Sequence, residues 1–295
     1  GSLKDYIQIK STKRAASVVM AMIVAIISTQ IFASIFDIDL SSSSYFKSNI
    51  NYFAIIVGGA LFGAGMMIAD GCSSRSIVKF SQGDANALVT LLFIAIFAFA
   101  STKGILFGVV NGFINNQFMI DISSNLSNFT LNIYFVLAIL VLLLAYFVKK
   151  VKRVFSLYDG VIIGFLVGLS WFISGYIGAE SIEKEIQVQA LSYVFPSAKT
   201  LEFFTSYEVT ELSIGVCIVL GAMFGAYFST FFNKKYSFGC TSKMNFNKLK
   251  YNMIGGSMMG IGGIMAIGCT VGQGLSGVST LVFSSFLAII SIGVS

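Results

Sequence analysis

The chain reads as an all-α, polytopic membrane helix bundle of about eight spans, and three observations carry that reading. Of its 295 residues, 56% are hydrophobic and 11% charged, with a mean hydropathy of +0.86, whereas ordinary soluble domains are about a quarter charged. Apolar runs of span length recur along the whole sequence. Lys and Arg gather in alternate loops between those runs, as they do in polytopic membrane proteins.

The first run, residues 15–36, is too long for a signal-peptide core and has no small-residue cleavage site before Asp37, so it is the first span. The Gly1-Ser2 start lacks a Met and reads as a cloning remnant outside the fold reasoning. Further runs follow at 50–70, 84–111, 131–151, 159–178, 212–232, 252–269 and 278–294, near the roughly 20 apolar residues that cross a bilayer core.

Basic residues cluster before the first run (Lys4, Lys10, Lys13, Arg14), after the second (Arg75, Lys79) and after the fourth (Lys149, Lys150, Lys152, Arg153). With Lys234, Lys235, Lys243, Lys248 and Lys250 after the sixth, these loops hold 15 of the 19 basic residues. The positive-inside rule therefore puts both termini in the cytoplasm. The net charge of +6 is a topology signal, with the lipid bilayer as partner and no nucleic acid implied. The outer segment Glu180 to Glu211 carries six of the 13 acidic residues and the only proline, Pro196, and reads as a solvated connector.

Histidine is absent, and Cys72, Cys217, Cys240 and Cys269 form no CxxC. Zinc, haem and Cys-His catalysis lack their usual ligands or bases, so neither a metal nor a cofactor is expected. Cys217, in SIGVCIVL, has no glycine context and reads as a small buried hydrophobe.

A shift of 197 residues lays GGALFGAGMMIADGCS (58–73) over GGSMMGIGGIMAIGCT (255–270), with seven of sixteen positions identical. The same shift lays the first run on the sixth and the third on the eighth, so repeat A spans about 15–111 and repeat B about 212–294. Two linking spans, about 131–178, lie between them within a single membrane domain, 1–295. An even number of linking spans makes this an inverted-topology repeat, a design that places substrate near the midplane between discontinuous segments.

The sequence predicts two re-entrant Gly-Cys segments. Glycines at successive turns let helices approach closely, and Gly71 and Gly268 let the chain leave the helix just before Cys72 and Cys269. Broken backbone survives at membrane depth only where polar groups satisfy it. Ser73, Thr270 and Gln273 supply such groups, and a short helix starting there aims N–H groups at an anion. Arg75 and Lys79 either draw an anion inward or anchor the inner interface. Asp70 is an intramembrane carboxylate, a candidate for a proton role or for pairing with those cations.

The doubled GxxxGxGxxxAxGC[ST] pattern, with GCTVGQGLSG in the second copy, resembles the YeeE/YedE family of bacterial inner-membrane sulfur transporters. That resemblance implies an hourglass-shaped transporter, not an enzyme, that takes up thiosulfate through weak contacts with cysteine thiols. It makes Cys72 and Cys269 the central contacts and Cys240, followed by Thr241 in FGCTSK, an inner relay. It also implies a soluble TusA-like sulfur carrier on the cytoplasmic side. The 197-residue shift pairs Cys240 with Ser43, so no symmetric outer thiol exists. Two other readings stand beside it: transport of another sulfur or selenium oxyanion, and a membrane thiol sulfurtransferase that carries sulfur as a cysteine persulfide.

Overall fold

The structure is a computed structural model describing residues 12–46, 51–69, 71–115, 158–178, 188–205, 213–232 and 246–295. The fourth apolar run, Cys240, Thr241 and Asp70 lie outside the described residues. Among the described residues the regular structure is helical, with α1 Thr12–Ile35, α2 Tyr52–Ile68, α3 Ser73–Ser81, α4 Ala85–Thr102 and α5 Phe107–Asn115. Then follow α6 Tyr158–Phe172, α7 Val194–Thr205, α8 Ile214–Phe232, α9 Phe246–Met265 and α10 Phe283–Val294.

Among the described residues, five stretches are long and apolar enough to cross a membrane: Ala16–Ile35, Tyr52–Ser81, Ala85–Thr102, Tyr158–Ile177 and Ile214–Phe232. Many large apolar side chains on them face outward, Phe165 and Phe224 among them. In water such a surface is unfavourable, and in lipid it is the expected one. The chain is a multi-pass membrane protein with a helical fold.

Several boundaries differ from the sequence reading. The run 84–111 is broken after Thr102: Lys103 ends α4, and the Leu106 N–H returns to the Ala100 carbonyl before α5 begins. The last run, 278–294, holds regular α-helix only over Phe283–Val294, because Leu281 adopts φ +60° in the turn before it. Helix α9 starts at Phe246, ahead of the apolar run, so its first turns carry Lys248 and Lys250.

The described residues fall into two units. The first draws on 1–48, 121–191 and 274–286. In it α1 and α6 pack through small residues: a Cβ on Gly160 would stand 2.5 Å from the Ser17 carbonyl, and one on Gly164 2.7 Å from that of Ala21. The Ser28 hydroxyl donates to the Gly164 carbonyl at 3.2 Å. Ala25, Val167 and Trp171 form the core with Tyr45 and Val282, and the Trp171 indole N–H donates to Ser279 at 3.0 Å.

The second unit draws on 49–120, 192–273 and 287–295 and holds both Gly-Cys segments. Helices α2 and α9 cross in opposite directions through glycine. A Cβ on Gly262 would lie 2.6 Å from the Gly58 carbonyl, and one on Gly255 2.7 Å from that of Gly65. The 197-residue shift exchanges these two contacts. It also carries Gly59 and Gly63, which face α10, onto Gly256 and Gly260, which face α4. Deleting side chains at these positions is what permits such backbone approach.

The solvated-connector expectation for Glu180 to Glu211 fails over its described part. Val194, Ala198 and Glu202 of α7 are buried, with Val194 and Ala198 in one core cluster with Phe62, Ile94, Met259 and Cys269. The carboxylate of Glu202 is bound by Lys103 Nζ at 2.6 Å and by Lys199 Nζ at 3.1 Å. These hydrogen bonds, Lys103 first, hold its pKa below the ordinary carboxylate value. A charged segment is thus buried with its charges compensated. Cys217 departs from expectation too: it is exposed on α8, where a thiol meets lipid as a small apolar group.

Candidate functional site

Both Gly-Cys pairs stand where a helix stops and a short helical segment starts. Helix α2 ends at Ala69, whose N–H bonds the Gly65 carbonyl, and the Gly71 N–H bonds that of Met66. Cys72 then occupies the N-cap position of α3 with φ −79° and ψ 170°. Its sulfur lies 3.1 Å from the Ser74 hydroxyl. A Cβ on Gly71 would meet only the flexible stem of Arg75, at 3.3 Å.

In the second copy α9 ends at Met265, and Ile267 takes φ +58° with Gly268 at φ +157°. A β-branched residue in the left-handed region is disfavoured by about 1–2 kcal/mol, so tertiary contacts hold this break in place. The Gln273 Nε2 donates to the Ala266 carbonyl that the ending helix leaves over. The Gly272 N–H points at Cys269 Sγ, 3.3 Å away. Thr270 opens the next segment, which widens to a π-helix at Gly272–Gly277.

The thiols differ in setting. Cys269 is 0% exposed within the apolar cluster that includes Val194 and Met259, while Cys72 is half-buried. Tyr193, the residue before α7, packs against that cluster, and its hydroxyl lies within electrostatic range of both Cys269 and Cys72. The two thiols and this phenol therefore share one neighbourhood in the unit. No pattern in the sequence singles out Tyr193, because its place depends on how the buried α7 packs.

Two buried polar atoms near the breaks have no hydrogen-bond partner among the described residues, the Ser73 hydroxyl and Gln273 Oε1. Buried polar groups are normally satisfied, and exceptions gather where a ligand binds. Of the cations named from sequence, Arg75 is exposed. Lys79 lines a cavity of about 470 Å³. Among the described residues no His, Cys, Asp and Glu group is arranged to hold a metal ion. Ser43, paired with Cys240 by the shift, is buried in the first unit with its hydroxyl unpartnered among the described residues.

A family model described as sulphur transport matches residues 1–295. The chain belongs to that family. Two curated relatives carry the name thiosulfate transporter TsuA. The one from Escherichia coli (strain K12) is 19% identical over 317 residues, covering 98% of this chain and 84% of its own length. The one from Spirochaeta thermophila is 26% identical over 282 residues, covering 81% and 74%. The family accounts for membrane-crossing helices and for sulfur as the transported element.

Proposed function

We propose that this protein takes up thiosulfate across the bacterial inner membrane, passing the ion between Cys269 and Cys72. The observation that carries the reading is the pair of thiols at matched helix breaks, with Tyr193 in range of both. The names of the two relatives support thiosulfate as cargo. The exchange of the Gly58–Gly262 and Gly65–Gly255 contacts under the 197-residue shift supports an inverted repeat. On that reading repeats A and B run over about 15–111 and 212–294.

The residues suit a weakly held dianion. A thiol is a feeble donor, so each contact releases the ion readily, and conduction needs binding that is favourable without being tight. The cluster that encloses Cys269 is apolar, so its S–H has few competing polar partners there. The Ser73 hydroxyl and the N–H groups at the start of α3 add donors beside Cys72. With Thr270 in the matching place, Gly71 and Gly268 let backbone approach the path. Arg75 and Lys79 draw the anion inward, and Asp70 is the candidate for proton coupling. Cys240 and Thr241 serve as the inner relay, passing the intact ion to the side on which a TusA-like carrier would dock.

Purified protein in proteoliposomes should take up labelled thiosulfate, with sulfite, sulfate and selenite as competitors. Thiosulfate saturating the protein at the lowest concentration is the expected result. Selenite or sulfite displacing label more strongly than thiosulfate itself would reassign the cargo. A stable mass increase on a cysteine after thiosulfate exposure would turn the reading toward a sulfurtransferase.

A further inference from the structure

One apolar cluster joins the two Gly-Cys breaks. Met66 and Ala69, from the end of α2, meet there with Ile264, Cys269 and Val271, from the end of α9 and the segment beyond it. An ion handed from Cys269 toward Cys72 therefore meets hydrocarbon, where a charge is costly to hold without hydrogen bonds. Among the described side chains of this cluster only Cys269 and Tyr193 carry a hydrogen-bond donor. The two-thiol relay uses the first and gives the second no task.

Tyr193 is held at its backbone and left open at its tip. Its carbonyl accepts from the Ser197 hydroxyl and from the Ser197 N–H. The next residue, Val194, is fully buried against Gly263, where a Cβ would stand 2.8 Å from Val194 Cγ1. The Tyr193 ring packs on the cluster, yet among the described residues its hydroxyl has no hydrogen-bond partner. A phenol set in apolar surroundings usually finds one, and packing alone would be served by Phe. Burial first, and then the nearby Cys269 and Cys72, raise its pKa above the ordinary 10.0, so at neutral pH it keeps its proton and remains a donor.

We propose that Tyr193 is a third contact for the transported ion, its neutral O–H donating to an oxygen of the anion as it moves from one thiol to the other. The inference rests on the transport reading above. A phenol is a stronger donor than a thiol and carries no charge that would trap a dianion. Hydrogen bonds to an ionised acceptor are roughly twice as strong as neutral ones, so one O–H offsets part of the cost of the apolar stretch without tight binding. A rigid ring presents that O–H at little cost in side-chain entropy. The Ser73 hydroxyl, buried and unpartnered among the described residues at the start of α3, is the next donor on the Cys72 side.

The test is Tyr193→Phe, which removes the O–H and keeps the ring, assayed by uptake of labelled thiosulfate into proteoliposomes over a range of concentrations. KM should rise about tenfold, the loss of one hydrogen bond to a charged group, with the maximal rate within about twofold of wild type and the unfolding temperature unchanged. A ring that only packs predicts a wild-type KM in this variant, and that result would overturn the proposal. A second measurement does not depend on transport. In purified full-length protein labelled with fluorotyrosine, the fluorine resonance missing from Tyr193→Phe belongs to residue 193. It should shift saturably with thiosulfate and stay in place with chloride at equal ionic strength. A resonance that thiosulfate leaves unmoved, at concentrations that protect Cys72 from alkylation, would overturn the proposal even where uptake is normal. If the wild type takes up no thiosulfate yet this resonance shifts, the transport reading fails and the phenol stands as an anion contact.

Discussion

The two Gly-Cys breaks share seven of sixteen residues yet are built differently. At the first, Cys72 itself has ordinary extended backbone geometry and is half-buried beside Ser74. At the second, Ile267 and Gly268 take positive φ and Cys269 is fully enclosed. One break carries positive φ before an enclosed thiol, and the other holds a half-buried one. A duplicated motif has supplied two thiols at similar positions while neighbouring substitutions set how tightly each is enclosed. On the proposed transport reading this difference is useful: the enclosed thiol would restrict passage, and the half-buried one would favour release.

The comparison is sharpest in the glycines before the thiols. Gly268→Ala forces a side chain into φ +157° and should destabilise by roughly 1–3 kcal/mol. Gly71→Ala meets only the Arg75 stem and should stay within about 0.5 kcal/mol. Thermal unfolding of both variants checks this, and equal losses would erase the contrast between the breaks.

Thiol chemistry comes next. With Cys217 and Cys240 replaced by Ser, a small water-soluble alkylating reagent should modify Cys72 roughly tenfold or more faster than Cys269, since reaction follows exposure and thiolate character. Peptide mass spectrometry over a time course reads the ratio. Equal rates would mean that the enclosure of Cys269 opens in solution.

The smallest effect concerns α7, which brings Tyr193 to the thiols. Glu202→Gln removes the charged partner of Lys103 and Lys199 and should lower stability by about 1 kcal/mol, discounted because Lys103 is more than half exposed. The folded pKa of Glu202 is depressed, so its contribution is present above the ordinary carboxylate value of 4.5. That contribution disappears as pH falls through the lower folded value. Unfolding temperatures of wild type and variant should differ at neutral pH and converge in acid. A gap that widens in acid would contradict the ion-pair account.

Much of this was legible in the residues. Gly71 and Gly268 marked the helix ends, although only Gly268 takes a positive φ, and the shift by 197 singled out glycines placed for close helix approach. Helix α7 was not legible: Lys199, Glu202 and Pro196 look like a solvated connector until Lys103, far away in sequence, is seen to neutralise Glu202. Tyr193 owes its position to the same packing.

The central claim, that Cys269 and Cys72 are successive contacts for the transported ion, meets its most direct test in uptake of labelled thiosulfate by Cys72→Ala and Cys269→Ala at matched membrane expression. Each variant alone should abolish uptake, whereas Cys217→Ala should transport as the wild type does. Wild-type uptake by both Cys72→Ala and Cys269→Ala would contradict the account.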